Sequence, residues 1–141
     1  MWQTVKNYIR DFFALGLTVL FCVGVLLQNA YVLRGLPGER TFYVHSASSQ
    51  ASIQSDLQFK DAFFMTGESV YLTEQADVDA LVERFQAEIV FVECVGDTVS
   101  YYGFSPNLPY GVALFGTRVN LHIALSPRGC VVGTPIIFGG Y

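Results

Sequence analysis

Few side chains in this sequence combine a reactive type with a spacing that chemistry requires. The two histidines are His45 and His122, and the three cysteines are Cys22, Cys94 and Cys130. They form no Cys-x-x-Cys or His-Glu-x-x-His pattern, so no zinc site is predicted. The sequence also lacks a Gly-x-Ser-x-Gly elbow, a Ser-x-x-Lys pair and a phosphate-binding glycine loop. We therefore assign no catalytic, cofactor-binding or metal-binding residue.

The strongest candidates for chemistry are Cys130 and His122. A nucleophilic cysteine requires a nearby base and an electropositive setting. Cys130 follows Arg128, whereas Cys94 lies in an apolar stretch next to Glu93. His122 is expected on the polar face of a strand, as a surface or groove-packing residue. Cys94 and Cys130 could pair in an exported domain, but two buried thiols are the preferred interpretation.

The apolar residues are concentrated in the segment Phe12–Leu33. These 22 residues lie between Asp11 and Arg34 and carry no charge. As a helix they would be about 33 Å long, enough for a hydrocarbon core about 30 Å thick. A cleavable signal peptide is the main alternative, because Lys6 and Arg10 precede the apolar run. No good cleavage site follows, so we predict an uncleaved transmembrane helix that contacts the lipid bilayer through residues 12–33.

The length of the amino-terminal arm indicates the orientation, and the charge of the domain indicates the class of partner. The very short amino-terminal arm favours an amino terminus inside the cell and a carboxy-terminal domain outside, in a single-pass arrangement. Residues 41–141 contain ten acidic and four basic residues, a net charge of −6. Binding of nucleic acid requires clustered lysine and arginine. The sequence therefore predicts no nucleic-acid partner.

Composition also divides the chain into segments. Residues 1–33 are predicted to form a short cytoplasmic arm and the transmembrane anchor. Residues 34–40 contain two glycines and a proline, which indicate a linker. Residues 41–141 are predicted to form one extracytoplasmic α+β domain.

One helix and several strands are predicted in this domain. In residues 77–86 the apolar side chains recur at helical spacing, and Asp77 is suited to cap the helix. The runs 88–95 and 98–104 are rich in β-formers and indicate a hairpin. Residues 60–73 are interpreted as strand, a turn at Gly67 and Glu68, and more strand. The predicted fold class is α+β: a transmembrane helix followed by a mainly antiparallel β-sheet covered by at least one amphipathic helix.

The carboxy-terminal residues predict a second hairpin. Residues 118–125 alternate apolar and polar side chains, with His122 on the polar face. Residues 126–129, Ser-Pro-Arg-Gly, have the chemistry of a type I turn. The strand 130–138 therefore folds back on 118–125.

The register of this hairpin stays open. A two-residue loop would place Cys130 opposite Leu125 on the core face, whereas a three-residue loop would place it opposite Ser126. Pro135 cannot donate to a ladder, which predicts that its strand lies at an edge or is bulged there.

Aromatic residues are more numerous than a small single-helix domain hides easily, and they include Tyr101, Tyr102, Phe104, Tyr110, Phe115, Phe138 and Tyr141. Some of them are expected to form a docking patch, in which aromatics are enriched, although a tyrosine-rich core is an equal alternative. The candidate interaction surface consists of Tyr101, Tyr102, Phe104, Tyr110 and His122.

The sequences VNLHIAL (119–125) and VVGTPII (131–137) with a final Tyr141 resemble the end of the YwmB family of spore-forming Firmicutes. In that family an Asn-Leu-x-Ile-Ala-Leu strand is followed by a Val-Gly-Thr-Pro strand at the extreme carboxy terminus. The resemblance implies an exported or membrane-anchored α+β protein, with a fold likened to that of the TATA-box-binding protein, in a setting of sporulation or envelope remodelling. It implies no active-site residues, and the net charge of −6 argues against DNA binding.

The function expected from these observations is a membrane-anchored, extracytoplasmic, non-enzymatic module that binds another protein of the cell envelope and needs no cofactor. The alternative is a small envelope hydrolase or thiol enzyme that uses Cys130 or His122.

Overall fold

The computed structural model describes residues 2–29, 31–46, 51–58, 60–74 and 76–138. The chain divides into two compact units, Met1–Tyr31 and Val32–Tyr141.

The first unit is a single α-helix, α1 (Trp2–Asn29). Its segment Gln3–Val25 is long and apolar enough to cross a membrane, and none of its most apolar part is buried. A core helix of a soluble protein would be mostly buried, so the exposure of this helix favours contact with lipid. The hydroxyl of Thr18 donates to the carbonyl oxygen of Ala14 at 2.8 Å, which satisfies a polar group that lipid could not.

The second unit begins earlier than predicted. Leu33 is fully buried and Leu36 is 6% exposed, and both belong to the core of the second unit. The segment assigned to the anchor as far as Leu33 therefore ends sooner, and the predicted linker 34–40 is part of the fold. The physical reason is that these two leucines add apolar area to the core despite the turn residues around them.

An antiparallel sheet forms the body of the second unit. Its strands are β1 (Glu39–Val44), β2 (Ser52–Gln54), β3 (Met65–Leu72), β4 (Glu88–Val95), β5 (Thr98–Phe104), β8 (Leu121–Ser126) and β9 (Gly129–Thr134), while β6 (Val112–Leu114) and β7 (Thr117–Val119) pair separately. Among the described residues, the large sheet has seven strands in the order β2-β1-β3-β9-β8-β5-β4. A 3₁₀ turn at Ala62–Phe64 precedes β3, and the helix α2 (Val78–Phe85) connects β3 to β4. The predicted α+β class is confirmed.

The helix α2 packs on one face of the sheet, here called the helix face. Asp77 caps it as predicted, since its carboxylate accepts from the backbone N–H of Asp79 at 3.0 Å. The helix buries Leu81 and Phe85 against the sheet. The core on this face also contains Leu33, Leu36, Val70, Leu72, Leu108, Leu121, Ile123, Cys130 and Val132.

The opposite face, here called the tail face, is crossed by the chain that follows β9. The backbone N–H of Ile137 donates to Nδ1 of His122 at 3.2 Å, and that of Phe138 donates to the hydroxyl of Tyr43 at 3.2 Å. Gly133 permits this close approach, because a Cβ there would lie 2.6 Å from Cγ1 of Ile137. Both faces of the central strands are therefore buried.

Two strand predictions were wrong. The turn expected at Gly67 and Glu68 does not exist, since both residues lie within the continuous strand β3. Pro135 does not mark an edge or bulged strand, since β9 lies between β3 and β8 and ends at Thr134, one residue before it. A proline directly after a strand removes no ladder hydrogen bond, which is why β9 can be central.

The strand predicted over 118–125 is divided at Asn120. Its side chain is fully buried and bonds to the preceding loop instead of pointing to solvent. Oδ1 accepts from the N–H of Ser105 at 2.7 Å, and Nδ2 donates to the carbonyl oxygens of Ser105 at 2.7 Å and Leu108 at 3.1 Å. Residues before Asn120 pair with β6, and residues after it pair with β5 and β9.

The carboxy-terminal hairpin is confirmed, and its register is settled. Ser126 pairs with Gly129 and Leu125 pairs with Cys130, so the loop has two residues and Cys130 lies on the helix face. Cys130 is buried but Cys94 is exposed, which corrects the expectation of two buried thiols. Their strands are three steps apart in the sheet, about 14 Å, too far for a disulfide.

Candidate functional site

The five residues of the predicted interaction surface do not form one surface. Tyr101 packs against the core of the helix face, whereas Tyr102 and His122 lie on the tail face. Phe104 is half-buried beneath the guanidinium of Arg118, which lies 5.4 Å from its ring.

The fifth residue, Tyr110, is half-buried in the loop before β6. Burial, followed by the charge of Glu68, raises the pKa of Tyr110 to about 12. Its phenol is therefore neutral at physiological pH.

Tyr102 and His122 belong to a row of stacked rings across the tail face. Tyr102 stacks on His122 at 4.3 Å and on Phe91 at 4.5 Å between centroids. Phe91 in turn meets Phe115 edge to face at 5.6 Å. The row therefore begins under the tail at His122 and reaches solvent at Phe115.

His122 is buried, not a surface residue as expected from its strand face. It is 3% exposed, because the segment after β9 covers that face. Burial lowers its pKa to about 4, so the ring is neutral near pH 7. Its Nδ1 accepts from a backbone N–H, which is a structural use of the imidazole.

Cys130 and His122 cannot act together as a nucleophile and its base. Cys130 lies on the helix face and His122 on the tail face, with the sheet between them. Burial also raises the pKa of the Cys130 thiol to about 11, which leaves little thiolate at neutral pH.

Neither a metal site nor a cavity with a clear ligand preference stands out in the described residues. Within residues 2–29, 31–46, 51–58, 60–74 and 76–138, no three His, Cys, Asp or Glu side chains are grouped for a metal ion. A cavity of about 510 Å³ lies between the Leu36–Gly38 loop, the end of β3 and α2. Its apolar lining is joined by Glu74, Asp77 and Arg84, so its charges favour no single class of ligand.

The free edge of β4 is the most accessible feature of the sheet. In the part of the chain that the structure describes, β4 pairs with β5 on one side only. Three of its valines, Val90, Val92 and Val95, are 37%, 49% and 67% exposed. Apolar side chains on an unpaired strand mark a place where another chain can pair.

Phe115 extends this apolar area from the neighbouring β6–β7 turn. Its side chain is 90% exposed, and its backbone adopts a φ of +50. Few bulky side chains occupy this left-handed region, where asparagine and glycine are favoured. We call the segment Phe91–Val95 together with Phe115 the β4 site.

Sequence reasoning counted Phe115 among the surplus aromatic residues but missed the edge of β4, because an edge depends on strand order. The sequence pattern of a strand such as Glu88–Val95 does not show whether the strand lies in the centre of a sheet or at its edge. The sequence of the turn, Leu-Phe-Gly-Thr, did carry a signal: Phe115 before Gly116 is unusual for a tight turn.

Comparison of the chain with protein-family models, with curated proteins and with solved structures finds no match.

Proposed function

We propose that this chain is a membrane-anchored, non-enzymatic module that binds another protein of the cell envelope through the β4 site. The amino terminus lies inside the cell and the sheet domain outside. The resemblance of the last two strands to the YwmB family supports an envelope setting linked to sporulation or envelope remodelling.

The observation that carries this proposal is the backbone of Phe115. An exposed phenylalanine contributes little to stability, and a φ of +50 at this residue costs free energy that asparagine would not. Phe115 meets Phe91 edge to face but is otherwise largely exposed, so its cost to stability is explained by a role in binding. Aromatic side chains are enriched where proteins bind each other.

The placement of Cys130 and His122 supports a non-enzymatic role. A thiol or hydrolytic mechanism needs a nucleophile and a base within hydrogen-bond reach. The two candidates lie on opposite faces of the sheet, and both are neutral at physiological pH.

Site-specific crosslinking in living cells tests the proposal. A photoreactive phenylalanine analogue is placed at Phe115, and as a matched control at Phe64, which is 56% exposed at the far side of the sheet. We expect position 115 to capture one envelope protein, identified by mass spectrometry, and position 64 not to capture it. Capture of the same proteins from both positions, or of none from position 115, would overturn the proposal.

The variant Phe115→Asn separates binding from folding. Asparagine suits the left-handed backbone, so the variant should be as stable as the wild type or more stable, by about 1 kcal/mol. It should nevertheless lose the partner in a co-purification of the full-length protein. A variant that keeps the partner would show that Phe115 has no part in binding.

A further inference from the structure

We infer, building on the proposed function, that the β4 site takes an extended segment of its partner as an eighth strand, with a lysine or arginine opposite Glu93. The large sheet has seven strands among the described residues, and β4 is its last. Strand addition to a free edge is a common mode of peptide recognition.

The backbone of β4 presents a short regular ladder to such a segment. The loop Gly96–Asp97 has two residues and closes on the pair Val95 and Thr98. Because hydrogen-bonded and non-hydrogen-bonded pairs alternate along an antiparallel ladder, the amides and carbonyls of Val92 and Cys94 point away from β5. These groups are available to another strand.

The β4 edge has only part of the protection that is usual for edge strands. Such strands are commonly short or bulged, or carry charged residues or proline. The charged residues of β4 are Glu88 and Glu93. The strand β2, at the other edge, has three residues, whereas β4 has eight and contains neither lysine nor proline. The ladder is irregular only between Ile89 and Phe91, which leaves Phe91–Val95 regular.

Charge decides which occupant fits. Residues 88–104 contain Glu88, Glu93 and Asp97 but no lysine or arginine. Glu93 is exposed at the middle of the regular segment, where the hydroxyl of Tyr102 donates to its Oε2 at 3.4 Å. Opposite charges directly across a ladder stabilise it, and like charges destabilise it.

A second copy of this chain, paired in the register that uses all of Phe91–Val95, is therefore a poor occupant. Two copies paired about a two-fold axis through the middle of Phe91–Val95 would place Glu93 directly opposite Glu93. A segment with a basic side chain at that position gains an ion pair instead, so the expected partner strand has apolar or β-branched residues around one lysine or arginine.

Two synthetic peptides test this inference on the full-length protein in detergent micelles. Both consist of alternating threonine and valine with a soluble glycine-serine tail, and they differ only in a central lysine or glutamate. Fluorescence anisotropy should show the lysine peptide binding about three- to ten-fold more tightly. The variant Glu93→Lys should invert this order. The matched control Glu83→Lys, at an exposed acid on α2, should keep it.

The outcomes separate the inference from the proposed function. If neither peptide binds, if both bind equally, or if Glu93→Lys keeps the wild-type order, strand addition beside Glu93 is wrong. The proposed function survives that result if position 115 still captures a partner in cells. If the peptides are discriminated as expected but position 115 captures no partner, the proposed function fails and the peptide chemistry stands.

Discussion

The carboxylate of Glu68 and the guanidinium of Arg40 lie together on the helix face, with Oε2 and Nη1 separated by 3.7 Å. Glu68 is fully buried and accepts a hydrogen bond from the backbone N–H of Leu33. Arg40 donates to the carbonyl oxygens of Leu33 at 3.0 Å and Leu36 at 3.2 Å. This pair therefore attaches the segment Val32–Leu36 to the sheet.

The variant Glu68→Gln should change how stability depends on pH. Burial raises the pKa of Glu68, although the N–H of Leu33 and the charge of Arg40 oppose the shift. The unfolded chain releases the proton of Glu68 near pH 4.5, whereas the folded protein holds it to a higher pH. The bound proton therefore stabilises the folded protein, and this stabilisation is lost as pH rises through the folded pKa. Relative to Glu68→Gln, the wild type should lose stability as pH rises from 4.5.

Urea denaturation of both full-length proteins in micelles, followed by circular dichroism from pH 4.5 to 8, measures this difference. Glu83→Gln, which removes an exposed acid on α2, is the control and should run parallel to the wild type. Parallel curves for Glu68→Gln and the wild type would contradict the prediction.

The variant His122→Phe should remove a pH dependence of stability that has the opposite sign to that of Glu68. Burial lowers the pKa of His122 from 6.5 to about 4. Between these two pH values the unfolded chain binds a proton at this residue and the folded protein does not. Stability from this residue is present above pH 6.5 and is lost as pH falls toward 4, by about 3 kcal/mol in total. Phenylalanine keeps the stacking on Tyr102 but does not titrate.

Denaturation of His122→Phe between pH 7 and 4 should therefore show a shallower loss of stability than the wild type. The control is Asn107→Ala, which changes an exposed amide and no titratable group and should retain the wild-type slope. An unchanged slope in His122→Phe would mean that the ring is not held neutral by burial.

The variant Asn120→Ala should destabilise the domain by about 2–4 kcal/mol. It removes three buried hydrogen bonds to the loop, those of the N–H and carbonyl oxygen of Ser105 and of the carbonyl oxygen of Leu108, although the carbonyl of Ser105 still accepts from the N–H of Leu108 at 3.4 Å. The control is Asn107→Ala, because that exposed amide bonds only to the side chain of Gln86, and its loss should cost no more than about 0.5 kcal/mol. Equal stabilities of the two variants would refute this role of Asn120.

The three natural cysteines allow the topology to be tested by labelling, without any introduced cysteine. Cys94 is exposed on β4, Cys130 is buried with its pKa raised to about 11, and Cys22 lies in the apolar part of α1. A membrane-impermeant maleimide on intact cells should label the protein once, at Cys94, and Cys94→Ser should abolish the label. Labelling that appears only after lysis would place the domain in the cytoplasm.

The mass of the protein purified from cells, together with its behaviour in a membrane wash, distinguishes an anchor from a cleaved signal sequence. Both have the length and composition of Gln3–Val25. We expect the intact mass to include α1 and the protein to remain in the membrane fraction after a carbonate wash. A mature protein that begins downstream of α1 would show that the helix is cleaved.

Local patterns were sufficient for α2 and for both hairpins of the large sheet. The apolar spacing from Val78 to Phe85 and the turn residues after Val95 and Ser126 depend on neighbours in sequence only. Interactions within a few residues decide such elements, which is why the helix and the two hairpins could be predicted, whereas the choice of a two-residue loop after Ser126 could not.

The buried polar residues could not be predicted, because their partners are distant in the chain. Glu68 accepts from Leu33, 35 residues away, and His122 is covered by a segment 15 residues later. Alternation along residues 121–125 correctly separates the two faces of β8, but it does not reveal that the tail covers the face of His122. The burial of Asn120 was missed for the same reason, since its partners lie in the loop at Ser105 and Leu108.

The position of β9 has a consequence for how the domain is made. It is the last strand in the described chain, yet it lies in the middle of the sheet, where Val132 pairs with both Val70 and Ile123. Until β9 is synthesised, β1 and β3 have no partner linking them to β5 and β8. Pairing between such distant segments is slow, since loop closure must precede it. A nascent domain that lacks β9 therefore cannot complete its sheet until almost all of the described residues have been synthesised, and the incomplete sheet is exposed to proteases in that interval.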